Sequence, residues 1–209
     1  MLHPNTRVQL INDEVGSGVV ATTMIPKGTI VYCEDPLDIV LAPDHPLIQH
    51  PSFAATIETY SYRDATGSYV ICWDGAKYIN HACNPSTLTT GYGFEIAIRD
   101  IYPGEEITDD YAIYNCPVFG PLRCGEPDCR GEVRPDDFDR LCDTWDRRIR
   151  DALRFYTRVE QPLEPYLREE TRATLRHHLQ TGKDYRSITH ARLVEIDDTP
   201  PTWLVAGDL

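Results

Sequence analysis

Asn80-His81-Ala82-Cys83-Asn84-Pro85 and, further on, Gly104-Glu105-Glu106-Ile107-Thr108-Asp109-Asp110-Tyr111 are the two stretches on which the reading of this chain turns. Taken singly, each has an ordinary explanation. An Asn-His pair reads as a turn with a capped backbone, and Tyr111 as a buried tyrosine hydrogen-bonded at the end of a strand. Two further stretches frame them. Gly16-Ser17-Gly18 is either a hairpin turn or a place where backbone approaches a ligand, since neither glycine carries a Cβ. Cys124-Gly125-Glu126-Pro127-Asp128-Cys129-Arg130-Gly131 ends a segment, from Asn115, too rich in cysteine, proline and glycine to pack by itself. Something other than a hydrophobic core must fix it.

In order and spacing, these four features resemble the SET-domain protein lysine methyltransferases, from about Arg7 to Gly131. The last stretch is similar to the family's post-SET zinc segment. The resemblance implies a mainly β fold of small curved sheets with a knot-like crossing, joined to a C-terminal α-helical extension, so α+β overall. It divides the chain into a SET domain at 1–114, a post-SET-like cysteine segment at 115–134 and a helical extension at 135–209. It also implies an enzyme that uses S-adenosyl-L-methionine to methylate the side-chain amine of a lysine in a basic protein.

The resemblance assigns roles residue by residue. Tyr111 is the catalytic residue, and Gly16, Ser17, Gly18, Asn80, His81 and Tyr111 bind the cofactor, with Arg130 to Val133 as further contacts over its adenine. Methyl transfer from a sulfonium to an amine is an in-line displacement with an already activated electrophile, so the protein mainly aligns the reactants and supplies a neutral amine. A narrow aromatic passage favours that neutral form by stripping water from the ammonium. Tyr60, Tyr62, Tyr69 and Trp73 are the aromatics available for its walls, with Tyr62 preferred and Trp73 read as structural. Asp109 departs from the family, which often has phenylalanine or tyrosine there. Its carboxylate either hydrogen-bonds the substrate amine or holds it protonated. Tyr62 and Asp109 are therefore the substrate-channel candidates.

Structural zinc needs four thiolate or imidazole donors. Cys83, Cys124 and Cys129 match the family's pattern, but Leu122 stands where its first post-SET cysteine belongs. Cys116 is the candidate for the fourth position, giving Cys83, Cys116, Cys124 and Cys129 as metal ligands. The alternative is no stable zinc, with the thiols packed as small apolar groups. The incomplete cysteine set and Asp109 also suit a non-catalytic SET-like module that binds basic peptides.

Composition agrees with an intracellular protein that meets cations. The chain has 209 residues, 41% hydrophobic and 25% charged, the balance of a soluble globular domain. No run approaches the length of a membrane span, and Met1 to Leu10 lacks the apolar stretch of a signal peptide. Seven cysteines cannot all pair within the chain, so free thiols or metal ligands are expected. The expected location is cytoplasmic, or nuclear in a eukaryote. The net charge of −13 is uneven: 15 acidic and 5 basic residues up to position 117, against 18 and 15 beyond it. Such a surface repels phosphate backbones and attracts a basic, lysine-containing protein, so neither nucleic acid nor membrane is an expected direct partner. Histone-like or ribosomal proteins fit by analogy.

The pattern of elements is consistent with this. Short β-branched runs separated by glycine and proline mark strands up to Leu41, with more at Ser68–Trp73 and Gly93–Arg99. Phe94, Ile96 and Ile98 alternate as in a sheet with one buried face. After Pro135, the stripe Phe138, Leu141, Cys142, Trp145, Ile149, Leu153 and Tyr156 predicts an amphipathic helix with Asp136 or Asp137 at its start. A second helix is expected from about Glu164 to Gln180, stopped by Gly182.

Overall fold

Short β-branched runs bounded by glycine and proline form short strands, and the computed structural model, which describes residues 1–115, 122 and 124–193, holds ten among those residues. They build three small sheets. In the first, β1 (Thr6–Asn12) and β2 (Gly16–Ala21) form a hairpin, β10 (Glu106–Asp109) lies antiparallel to β2, and β7 (Asn80–His81) lies parallel to β10. The second has the order β3 (Ile30–Cys33), β9 (Phe94–Ala97), β8 (Thr87–Thr89). The third has β4 (Ile39–Leu41), β6 (Tyr69–Ile71) and β5 (Ser61–Arg63), with the short helix α1 (Ala54–Tyr60) leading into β5. The α+β architecture read from the sequence is thus the one observed. No helix of the described residues is long and apolar enough to cross a membrane.

Alternation along Phe94 to Ile98 suggested one buried face, yet all four residues of β9 are buried. The reason is that both faces are covered. Phe94 and Ile96 join a core cluster with Trp145, Ile149 and Leu153, while Ala97 packs with Val31, Tyr32 and Ile107 in a second cluster. Glu95 is the polar exception on this strand.

The helix after Pro135 is α2 (Asp137–Leu153), and Phe138, Trp145, Ile149 and Leu153 are its buried stripe. Asp136 makes no side-chain cap; instead the Asp137 carboxylate accepts from the Arg134 N–H at 3.0 Å. The second helix starts later than expected. Glu164–Tyr166 is a single 3-10 turn containing Pro165, the chain extends at Leu167, and α3 runs Glu169–Thr181. Gly182 ends it in the left-handed region, φ 70°, which only glycine enters without strain.

The helical segment is pressed onto the sheets at backbone distance. A Cβ on Gly91, in the β8–β9 turn, would stand 2.0 Å from the Ser187 carbonyl oxygen and 2.6 Å from that of Arg186. Neither atom is a flexible side-chain end. Gly91→Ala is expected to destabilise the fold by about 1–3 kcal/mol through overpacking. Urea denaturation should show a lower midpoint; an unchanged one would mean that the Ser187 segment does not sit on this turn.

Candidate active site

The parallel pairing of Thr108 with Asn80 and Asp109 with His81 puts the two motifs side by side. Tyr111 opens a 3-10 turn (Tyr111–Ile113) whose first N–H groups are capped by Asp110, with the Ala112 N–H reaching its Oδ1 at 3.2 Å. The Tyr111 backbone N–H donates to His81 Nδ1 at 3.2 Å, and its hydroxyl donates to the Ile79 carbonyl at 2.8 Å. The Asn80 amide donates to the Ser17 carbonyl at 3.1 Å and to Glu106 Oε1 at 2.7 Å. Gly16–Ser17–Gly18, Asn80–His81 and Tyr111 therefore converge. Gly18 lets these groups meet: a Cβ there would lie 2.5 Å from Glu106 Oε1 and 2.9 Å from the Asn80 amide nitrogen, so both side chains would have to shift.

Tyr111 also lines a narrow cavity of about 70 Å³, with Tyr32, Tyr60, Tyr62 and Tyr114 among its walls. Tyr62 and Tyr60 thus share this cavity with Tyr111. Tyr69 and Trp73 do not line it, and Trp73 is half exposed with its indole N–H on Asp35 at 2.9 Å. Asp109 is fully buried and is not among the lining residues. It lies behind Tyr114, whose hydroxyl is 2.7 Å from Asp109 Oδ2, and Thr89 donates to the same oxygen at 3.1 Å.

Two carboxyls do line the cavity, Glu58 and the more deeply buried Glu95, neither of which the sequence reading singled out. Glu95 Oε1 is 3.0 Å from the Tyr114 hydroxyl, and its Oε2 accepts from Thr87 at 3.3 Å. Burial raises its pKa from 4.5 to about 7, against the lowering effect of the Tyr114 and Thr87 hydrogen bonds. Burial and the neighbouring Glu95 carboxyl push Asp109 well above the carboxylate range. One cue was available in the sequence: an acidic residue set between Phe94 and Ile96 on a strand with a hydrophobic pattern.

Three sulfurs gather beside the first motif. Cys83 Sγ accepts from the Arg130 N–H at 3.3 Å, Cys124 Sγ from the Cys83 N–H at 3.4 Å, and Cys129 Sγ from the Gly131 N–H at 3.4 Å. Backbone N–H donors, foremost that of Cys124, draw the Cys129 thiol down to about 7. His81, Cys83 and Cys124 present ligand atoms within 4.8 Å of one another. The His81 ring works as a donor to this group. Its Nδ1 accepts from Tyr111, and burial lowers its pKa, so the proton of the neutral ring sits on Nε2, 3.3 Å from Cys83 Sγ. Two thiols of the expected four, Cys83 and Cys124, are thus together with His81, a donor set that suits zinc, and Cys129 stands on the same segment outside that group. Cys116 lies outside the described residues. Leu122 packs against the core, and its N–H donates to the Gly131 carbonyl at 2.9 Å.

Arg130, a candidate for the cofactor's adenine, has its guanidinium on the buried carboxylate of Asp110, Nη1 to Oδ2 at 3.0 Å. The Trp145 indole N–H reaches the same oxygen at 3.2 Å. Asp110, which the sequence reading passed over, thus joins the Tyr111 turn, the cysteine segment and α2.

Residues 16–112 match the family model described as SET domain. Among solved structures, the chain is similar to the methyltransferase domain of human histone-lysine N-methyltransferase SETMAR. That match has 18% sequence identity, covers 64% of this chain and 58% of that one, and has a TM-score of 0.43. It is also similar to KRYPTONITE in complex with mCHG DNA and SAH, with 21% identity, 63% and 29% coverage and a TM-score of 0.45. The chain thus spans less than two thirds of either. No curated protein matches it.

The raised Glu95 pKa has a sign that stability must follow. Between the ordinary value of 4.5 and about 7 the folded chain binds a proton that the unfolded chain has lost, so stability falls as pH rises through that window. The loss is on the order of 3 kcal/mol at about 1.4 kcal/mol per pK unit. Glu95→Gln should flatten the slope in urea titrations made across this range; an unchanged slope would show that Glu95 does not carry the extra proton.

Proposed function

We propose that this chain, whose residues 16–112 match the SET-domain model, transfers a methyl group from S-adenosyl-L-methionine to the side-chain amine of a lysine in a basic protein. The observation that supports this most is the convergence of Gly16–Gly18, Asn80–His81 and Tyr111 at one end of a tyrosine-walled passage. The donor, when bound, supplies a methyl group already activated by positive sulfur. Everything else is positioning by the chain.

Tyr111 gives its hydroxyl proton to the Ile79 carbonyl, which turns the phenol oxygen's lone pairs toward acceptor duty in the passage. That oxygen, with the Ile79 carbonyl, orients the amine and receives weak contacts from the transferring methyl group. Tyr32, Tyr60, Tyr62 and Tyr114 exclude water and strip hydration from the alkyl ammonium, favouring the neutral amine that can attack. Asn80 holds Ser17 and Glu106 in register, so the glycine strand presents bare backbone to the donor. The acidic first half, 15 acidic against 5 basic residues, favours encounter with a lysine-rich segment, and histone-like or ribosomal proteins have that character.

Zinc belongs to the same reading. Cys83, Cys124 and Cys129 would hold it, with Cys116 as fourth ligand, and the ion would clamp the cysteine segment to the strand that carries Asn80. Full-length protein is expected to contain about one zinc by elemental analysis, and Cys124→Ser to lose it together with donor affinity. Retained metal in that variant would place the ion elsewhere.

Incubation with methyl-labelled donor and a cell lysate tests the activity itself. Tyr111→Phe should lower labelling by roughly 100-fold or more while donor affinity, read by calorimetry, moves by less than about threefold. Donor binding with no labelling, or no donor binding at all, would favour the alternative, a SET-like module that binds basic peptides without catalysis.

A further inference from the structure

Glu95 is the shared wall of two cavities. One is the narrow passage that ends at Tyr111; the other, about 230 Å³, lies across Tyr32, Tyr62 and Tyr114 and has exposed Thr66 and His190 at its edge. Facing the carboxyl are Asp109 from β10, Tyr111 and Tyr114 from the turn after it, Tyr32 from β3, Tyr62 from β5 and Cys72 after β6. The second cavity adds Glu34, Arg63, Asp64 and His190, the mouth of the first adds Glu58 and Lys77, and the amino group of Met1 acts on Glu95 from further away.

The decisive feature is a count of protons. The Tyr114 hydroxyl lies 3.0 Å from Glu95 Oε1 and 2.7 Å from Asp109 Oδ2, yet a phenol has one hydrogen to give. The second contact needs a proton that belongs to a carboxyl. At least one of the two acids is therefore neutral. Asp109 has no exposure and touches neither cavity, whereas Glu95 opens on both. Of the two arrangements that satisfy both contacts, the complete burial of Asp109 favours the one that runs from the Asp109 carboxyl proton to the Tyr114 oxygen, and from the Tyr114 proton to Glu95 Oε1. Thr87 completes the second Glu95 oxygen. Of the charge these two acids could carry, one negative charge then remains, on Glu95, the one that lines the passage.

We infer that Glu95 is the base that takes a proton from the substrate ammonium in the passage, held for this by Tyr114 and Asp109, and that the second cavity returns the proton to water. The inference rests on the methyl-transfer reading. The ammonium gives a proton to the Glu95 carboxylate, leaving a neutral amine and a neutral acid. The nitrogen lone pair forms the new N–C bond, the C–S bond breaks, and its electron pair stays on sulfur as a neutral thioether. The product is a methylated ammonium, and the Glu95 proton leaves through the larger cavity. A carboxyl titrating near neutrality suits this exchange at both steps.

The test uses the full chain with methyl-labelled donor, and unmodified core histones as the lysine-rich probe, from about pH 6 to pH 10. Wild type should level off above about pH 7. Glu95→Gln should be roughly 100-fold slower near neutrality, and the deficit should shrink to less than about 10-fold at the alkaline end, where bulk water deprotonates the amine. A deficit independent of pH, or no deficit, overturns the inference. A wild-type chain that binds the donor but labels neither the histones nor a lysate overturns the methyl-transfer reading and, with it, the role given to Glu95. Infrared spectra of the unliganded chain give a readout that does not depend on turnover. Two buried protonated carboxyls are expected on the acid side of neutrality and one on the alkaline side, with Glu95→Gln removing the one that titrates and Asp109→Asn the one that does not. The reverse assignment would overturn the proton arrangement.

Discussion

The carboxylate of Asp110 is the point on which three parts of this molecule depend. It is 1% exposed and accepts from the Ala112 N–H of the Tyr111 turn, from the Arg130 guanidinium and from the Trp145 indole. An ion taken this far from water costs several kcal/mol unless its oxygens are fully used. Here they are used by the turn, by the cysteine segment and by α2. Removing Arg130 or Trp145 would leave a buried charge partly unmet, so the helical segment and the cysteine segment are tied to the geometry of Tyr111 even before any metal is considered.

This arrangement explains why the cysteine segment, too irregular for a core of its own, still has a defined place. Arg130 anchors it by charge and Leu122 by packing, and two N–H···S contacts tie it to Cys83, one from the Cys83 N–H to Cys124 Sγ and one from the Arg130 N–H to Cys83 Sγ. His81 stands between the two centres, its Nδ1 on the Tyr111 N–H and its Nε2 toward Cys83 Sγ. A change at the sulfurs is therefore felt at Tyr111 through one imidazole ring.

The sequence made some of this legible and concealed the rest for identifiable reasons. Motif order revealed which distant stretches meet, because the glycines, Asn80 and Tyr111 are spaced by a topology that few other chains would reproduce. The α2 stripe was readable because Phe138, Trp145 and Ile149 keep a helical period over about three turns. Glu95 was hidden: a single acid in an apolar strand looks like the solvent face of a sheet, and only the covering of both faces of β9 turns it inward. Asp110 was hidden by its neighbour, since nothing in Asp109-Asp110 says which carboxyl meets Arg130 and which meets Tyr114. Pro165 displaced the start of α3 because a lone 3-10 turn and a helix share the same residue preferences at that length.

The two buried acids also bear on what the passage can accept. A wall of phenols alone strips water from an arriving ammonium and so favours the neutral amine. A carboxylate beside them favours the cation on entry, which suits a protein whose first half carries 15 acidic against 5 basic residues. Were both acids charged, repulsion across the Tyr114 hydroxyl would push them apart and the cation would be held too well to react. Were both neutral, the passage would lose its pull on the ammonium. The single shared proton on the Asp109 side avoids both outcomes: it leaves one charge where the substrate arrives, and that charge disappears as the amine is made ready to attack.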